Sequence, residues 1–232
     1  MLASLLLLAV SVAASPLSHT KRTEFNDCLA NSSPIYSYSP EYAQSVLSYN
    51  IRTQPAPETI IYPTTNLEIS LAVSCAATYG ASVSVRSGGH SYAAFGLAGD
   101  LVLSLEKFTE IEIEANGETV WVGAGNRLGD VAVALNARRR ALPHGTWYVF
   151  ENLVAQILFL IFRFRSPWVG IGGHVSFGGF GYTSRAWGLT LDNVLAYDVV
   201  MPDGVVRKNL TPQEDPDLFW VSLRLSVIRV GN

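Results

Sequence analysis

Of 232 residues only two are cysteine and four are histidine, and none of them pair at metal-ligand spacing. A metal centre is therefore not expected. No Gly-x-Ser-x-Gly elbow occurs, which removes the serine-hydrolase signature. Charged residues make up 15% of the chain and the net charge is −3. The one dense basic run, Arg138-Arg139-Arg140, falls at a predicted helix end, where it complements the helix dipole. No nucleic-acid partner is expected. Neither is a membrane partner, because no apolar run approaches the ~20 residues that span a bilayer. Internal repeats are absent as well. What remains is a chain with 49% hydrophobic residues, long enough to bury a core as one large domain or two small ones.

The first fifteen residues, MLASLLLLAVSVAAS, read as a secretory signal peptide. Leu5 to Val12 supply a short apolar run, and Val12-Ala13-Ala14 the small-residue cleavage pattern, with cleavage after Ala14 or Ser15. Lys21-Arg22 offers a second processing point, and an N-terminal core helix is the competing reading. The expected location is secreted, extracellular. In an oxidising route Cys28 and Cys75 are read as one disulfide, with two free core thiols as the alternative. Asn31-Ser32-Ser33 and Asn209-Leu210-Thr211 are glycosylation sequons, the second followed directly by Pro212.

Periodicity and punctuation give a mixed order of elements. A short strand Thr59 to Tyr62 leads into a helix capped by Asn66 and running to Tyr79, with Leu67, Leu71, Ala72 and Cys75 inward. Gly80 ends that helix, and a strand Ser82 to Arg86 follows. Another strand covers Leu101 to Leu105, and Asn116-Gly117 joins strands Glu110 to Glu114 and Thr119 to Val122 as a hairpin. A helix spans Leu128 to Arg139, with Leu128, Val131, Ala132 and Leu135 on its inner face. Val194 to Met201 and Val205 to Lys208 form a last hairpin around Pro202-Asp203-Gly204. The fold class is α+β.

Two glycine-rich segments carry the chemistry. In Arg86-Ser87-Gly88-Gly89-His90-Ser91 the paired glycines let consecutive N–H groups turn inward as a phosphate nest, with Ser87 and Ser91 adding hydroxyls. A plain tight turn is the competing reading. The second segment runs from Gly170-Ile171-Gly172-Gly173-His174 to Gly178-Gly179-Phe180-Gly181, six glycines in twelve residues. Its interleaved apolar residues point to a backbone closely approached by a bulky ligand. His174 by itself reads as a structural histidine. Gly123-Ala124-Gly125 is a decoy: the next glycine is Gly129, and the acidic partner of a dinucleotide fingerprint is missing.

The runs TQPAPETIIYPTT, VRSGGHSYAAFG, ALPHGT, VGIGGHVSFGGFGYTSRAWGLTLDNVL and DPDLFW, in this order from near Tyr49 to Trp220, resemble one family. They are similar to the FAD-binding PCMH-type domain of the vanillyl-alcohol oxidase superfamily, in its berberine-bridge-enzyme-like and glucooligosaccharide-oxidase branch. The resemblance implies a domain of two α/β subdomains, FAD as cofactor, and a covalent link from His90 to the flavin 8α-methyl. It places the pyrophosphate at Arg86, Ser87, Gly88, Gly89 and Ser91, and the flavin along Gly170, Gly172, Gly173, Gly178 and Gly179. It also pairs Cys28 with Cys75.

The chain departs from that pattern in two places. Doubly linked relatives read His-Gly-Thr-Cys-Pro, the cysteine being a second attachment point. Here Pro143-His144-Gly145-Thr146 runs into Trp147, and Pro167-Trp168-Val169-Gly170 resumes only after an apolar, aromatic and basic stretch. Leu153 to Phe162 is too short for a transmembrane helix. The codons of Trp147-Tyr148-Val149 necessarily spell TG followed by GTAYGT, a splice-donor sequence, and Ser166 can supply an acceptor AG. Joining across it restores Gly-Thr-Cys-Pro. The segment 147–166 is therefore read as a translated intron, and 221–232, where Val221-Ser222 can be encoded GTAAGT, as a second read-through.

The domain reading is then a signal peptide over 1–15, an N-terminal segment over 16–54 and the FAD-binding domain over 55–232. The resemblance implies that the substrate domain, and with it the family's usual tyrosine base, would lie beyond Trp220, so no catalytic residue is assigned. The implied function is a secreted FAD-dependent oxidoreductase that oxidises a carbohydrate or other alcohol, with oxygen as acceptor. An inactive truncated flavin-binding fragment is the alternative. The expected partners are a small-molecule sugar or alcohol and oxygen.

Overall fold

The computed structural model describes residues 19–145, 168–221 and 226–231. The signal-peptide reading and the 147–166 segment lie outside the described residues.

The first layer is a four-stranded sheet. Its strands are β1 (Ile35–Tyr36), β2 (Thr59–Ile61), β3 (Val83–Arg86) and β4 (Leu101–Ser104), in the order β1-β2-β4-β3. β2 and β3 both pair with β4 in parallel, and β1 adds antiparallel to β2. Helix α3 (Asn66–Tyr79) links β2 to β3, so the strand–helix–strand unit of the sequence is present, with β4 inserted between its strands. β4 is buried at every position, with Leu101, Val102 and Leu103 apolar as a central parallel strand requires.

Two details of α3 differ from the sequence reading. The cap is Thr65, whose Oγ1 accepts from Glu68 N at 3.2 Å, while Glu68 reaches back to Thr64 N at 2.6 Å. Asn66 is the first helical residue instead. The buried stripe is Ala72, Cys75 and Ala76, whereas Leu67 and Leu71 are 66% and 53% exposed. Small side chains there let helix α1 (His19–Leu29) pack close, bringing the fully buried Phe25 and Leu29 into the same core. Gly80 closes α3 in the left-handed region at φ +74°.

Cys28 of α1 and Cys75 of α3 form a disulfide with a Cα–Cα separation of 6.0 Å. The described part of the N-terminal segment, 19–54, is thereby tied into the first layer. It also supplies β1, the short helix α2 (Tyr42–Ser45) and a hydrogen bond from Tyr42 Oη to Pro57 O.

The second layer is a five-stranded antiparallel sheet. Its strands are β5 (Ile111–Ile113), β6 (Thr119–Val122), β7 (Val194–Val200), β8 (Val206–Leu210) and β9 (Ser226–Gly231), in the order β5-β6-β9-β7-β8. Both hairpins expected from the sequence are present, with Gly117 and Gly204 at positive φ in their turns. Residues 226–231, read from sequence as an aberrant terminus, lie as the central strand between β6 and β7. Helices α4 (Leu128–Asn136) and α5 (Ile171–Ser176) cover this sheet through Leu128, Val131, Leu135, Ile171 and Val175. Two short helices, α6 (Ser184–Trp187) and α7 (Pro216–Val221), complete the set described. The helix expected to reach Arg139 ends at Asn136, so Arg138-Arg139-Arg140 occupy the turn beyond it, with Arg139 at φ +56°.

The two layers meet where the β7–β8 turn sits on α3: Ser70 Oγ donates to Gly204 O, and Leu105, Phe108 and Ala124 form a small apolar cluster with Ile69 and Val85. Among the described residues no helix is long and apolar enough to cross a membrane, and no metal-ligating cluster is present.

The disulfide closes a loop of 47 residues, for which chain entropy gives about 4 kcal/mol. Replacing both cysteines by serine is expected to lower the unfolding free energy by roughly 2–4 kcal/mol in a urea titration. An unchanged midpoint contradicts the role given to this cross-link.

Candidate functional site

The first glycine segment leaves β3 at Arg86. The Arg86 guanidinium turns into the protein, donating to Ser104 Oγ at 3.1 and 3.2 Å, to Ser45 O at 2.6 Å and to Tyr62 Oη at 3.1 Å. Its cation therefore anchors the root of the loop. Ser87 Oγ donates to Ala124 O at 2.6 Å, so its proton is also engaged within the protein. Ser91 Oγ accepts from Phe95 N at 3.2 Å and keeps its proton for another partner.

At Gly88 the chain meets the second glycine segment. A Cβ there would lie 2.2 Å from Gly170 N, and a Cβ on Gly170 would lie 2.2 Å from Gly88 N and 2.4 Å from Ser87 Oγ. Neither position has room for a side chain. Around this contact Leu128 N donates to Val169 O at 2.9 Å and Ile171 N to Asn126 O at 3.0 Å. Arg127 Nη1 donates to Gly88 O at 2.6 Å and to Trp168 O at 3.0 Å, joining the two segments from behind. The decoy glycines serve internal packing, since Cβ atoms on Gly123 and Gly125 would come within 2.3 Å of Phe108 O and 2.0 Å of Leu105 O.

Between the segments lies a cleft of about 1200 Å³. Arg86, Ser87, Gly88, Gly89, His90, Ser91, Gly170, Gly172 and Gly173 all line it. Gly178 and Gly179 do not, although the sequence placed them along the ligand. Gly179 is instead covered by Thr190, whose Oγ1 would sit 2.1 Å from a Cβ there, and Thr190 N and Leu191 N donate to the Gly179 and Gly178 carbonyls. Their positive φ values, +79° and +96°, serve this fold-back.

His90 is half-buried at the cleft. Its ring stacks on Tyr49 at 4.5 Å between centroids, with 29° between planes, and Tyr92 meets Tyr49 edge-on at 5.3 Å. Burial lowers the imidazole's pKa, and the Arg127 charge acts in the same direction against a hydrogen bond to the Trp168 carbonyl. The ring is thus biased toward its neutral form, which has a nucleophilic lone pair. His174, deeper in the cleft wall, is held down at about 4 by burial, with His144 acting the same way and a hydrogen bond to Pro143 opposing.

The cavity accepts a ligand with both apolar and polar parts. Val73, Val85, Leu97 and Val169 give it apolar wall, and the place of a Cβ on Gly173 is open space. Two wall residues, His174 and Tyr197, carry buried polar atoms with no hydrogen-bond partner among the described residues, Nε2 and Oη respectively. Burial raises the Tyr197 pKa, keeping it a neutral hydroxyl. Such orphaned groups are costly unless a ligand satisfies them. Tyr49, Arg127 and Tyr197 escaped the sequence reading because single tyrosines and an arginine ahead of a helix carry no spacing signal. Only tertiary contact brings them to the loops.

Gly88→Ala and Gly170→Ala are expected to lower the melting temperature clearly, because backbone would have to move, while Gly173→Ala leaves it unchanged. Calorimetry distinguishes these outcomes, and equal effects at all three contradict the packing described. Acid adds a second check. Because His174 takes up its proton near 4 when folded and near 6.5 when unfolded, the unfolded chain binds more protons between those values. This group's contribution to stability is therefore lost as pH falls from 6.5 toward 4. The stability difference between the parent and His174→Gln should shift in the variant's favour over that window, and a constant difference contradicts it.

Comparison with known proteins agrees with this geometry. A family profile described as FAD binding domain matches residues 57–155 and 146–209. Xylooligosaccharide oxidase of Thermothelomyces thermophilus is 36% identical over 217 residues, which cover 91% of this chain and 39% of that protein. Chitooligosaccharide oxidase of Gibberella zeae is 36% identical, with coverages of 87% and 38%. Glucooligosaccharide oxidase from Acremonium strictum, solved for the roles of its 6-S-cysteinyl, 8α-N1-histidyl FAD, aligns with a TM-score of 0.75 at 29% identity, covering 90% of this chain and 42% of that one. The chain thus spans about two-fifths of the length of the relatives it matches. The described layers, the cleft and these matches together show that the chain belongs to the FAD-binding domain family of the vanillyl-alcohol oxidase/PCMH flavoenzymes.

Proposed function

We propose that this chain is the cofactor-binding half of a secreted FAD-linked oxidase acting on a carbohydrate or other alcohol, with oxygen as acceptor, and that His90 is its covalent flavin attachment point. The observation that carries the reading is His90 itself: an imidazole biased to its neutral form, stacked on Tyr49 and set into a cleft closed by two glycine segments. FAD bound there supplies hydride acceptance and reoxidation by oxygen. Ser87 to Ser91 would follow the pyrophosphate through backbone N–H groups and the Ser91 hydroxyl. Gly170, Gly172 and Gly173 would lie along the ring system, and the buried His174 and Tyr197 would hydrogen-bond polar groups of the cofactor. The sugar class rests on the oligosaccharide oxidases to which the chain is similar.

The secreted location rests on the N-terminal apolar run and on the disulfide. Asn31 and Asn209 are both exposed, as glycosylation at either sequon requires. A second reading concerns 147–166. The family profile matches in two pieces that meet at 146–155, which supports an insertion within the domain. A transcript joining the codon for Thr146 to a cysteine codon ahead of Pro167 is the expected message, and a major message that retains the segment refutes the intron. With the segment retained, the literal polypeptide is an inactive flavin-binding fragment.

Expressed as the full chain, the protein is expected to carry yellow flavin absorbance that persists in the polypeptide after denaturation, and His90→Ala is expected to lose it. Covalent flavin retained in His90→Ala overturns the assignment. Oxygen uptake on a panel of oligosaccharides then separates a turning-over oxidase from a flavin-binding fragment.

A further inference from the structure

We infer that Arg127 is a positioning residue for flavin attachment, tying together the two loops that present His90 as the nucleophile; this rests on the attachment reading above. Arg127 sits immediately before α4, in a bridge with Gly170, and is not among the described residues that line the cleft. Its side chain therefore acts through the loops and not by ligand contact. Its Nη1 reaches two carbonyls from different segments, Gly88 O at 2.6 Å and Trp168 O at 3.0 Å. Those carbonyls flank the attachment point. Gly88 lies two residues before His90, and the Trp168 backbone acts directly on the His90 ring.

Arg127 thus ties together the two loops on either side of the imidazole. Attachment needs one ring nitrogen whose lone pair is free. Tyr49 fixes the ring plane from one face. The Arg127 charge opposes protonation, which would destroy that lone pair. Burial disfavours the Arg127 charge, as does Arg86, while Glu106 and Asp130 favour it. A lysine keeps the charge but loses the planar fork that spans two carbonyls, and a glutamine loses the charge.

The attachment step balances as follows. One C–H bond of the flavin 8α-methyl breaks and one bond from an imidazole nitrogen to that carbon forms. The electron pair passes to the flavin ring, with the two protons shed by methyl and imidazole. Dioxygen then accepts the pair and both protons as hydrogen peroxide, restoring the oxidised ring. For this chain the requirement is an imidazole held neutral and aimed, and orientation of this kind is worth orders of magnitude in rate.

The test follows FAD incorporation into apo full chain, separating total bound flavin from the fraction that stays on the polypeptide after denaturation. Arg127→Gln is expected to bind flavin but to become covalent roughly 10- to 100-fold more slowly than the parent. Arg127→Lys should fall between the two. A purely structural role would instead lower total bound flavin and the thermal midpoint together, leaving the covalent share of bound flavin and its rate unchanged. That result overturns the inference, as does a parental rate in Arg127→Gln. If Arg127→Gln does not fold, Arg127→Lys decides by the same ratio. Covalent flavin in His90→Ala removes the attachment reading and this one with it. Loss of covalent flavin in His90→Ala beside a parental rate in Arg127→Gln removes this inference alone.

Discussion

Where Gly88 and Gly170 face each other, no side chain fits, since a Cβ on either would lie 2.2 Å from the other's backbone nitrogen. This backbone-to-backbone approach is the constraint on which the rest depends. It brings the end of a parallel strand in the first layer against the start of a short helix on the second, so the cleft forms at the seam between two separately packed cores. The surrounding hydrogen bonds keep the seam closed: Arg127 spans both loops, Ser87 ties to Ala124, and Leu128 ties to Val169. A loop rooted by the four hydrogen bonds of Arg86 then presents His90 at a fixed place.

The cost of such a seam is visible in its polar atoms. Tyr197 Oη and His174 Nε2 are buried without a hydrogen-bond partner among the described residues. Both belong to the cleft wall. A neutral tyrosine hydroxyl and an uncharged imidazole in the wall of a large cavity suit a ligand that brings polar groups to them. Arg86 and Ser87, by contrast, turn their polar groups inward, so phosphate recognition in this fold would fall to backbone N–H groups and Ser91.

Much of this was legible beforehand, for identifiable reasons. Both hairpins, the α3–Gly80 stop and the mixed α+β order came from local chemistry that tertiary contacts did not override: Asn116-Gly117, Pro202-Asp203-Gly204, and a left-handed C-cap. The face of α3 was misjudged because the stripe of larger residues, Leu67 and Leu71, points to solvent, while the small residues admit α1. The pairing of β4 between β2 and β3 is long-range and leaves no local trace. Gly178 and Gly179 read as ligand-facing because a glycine pair looks the same whether it is crowded by a ligand or by Thr190. Tyr49, Arg127 and Tyr197 were missed because their importance lies entirely in which loops they touch.

The central claim is that His90, presented by the glycine seam, bears the flavin. Peptide mapping of the purified full chain tests it most directly. Trypsin cuts after Arg86 and Lys107, isolating Ser87 to Lys107 with His90 as its single histidine. The expected result is flavin mass and fluorescence on that fragment, with the modification localised to His90 by fragmentation. Flavin on a different fragment, or flavin that is wholly released on denaturation, contradicts the account.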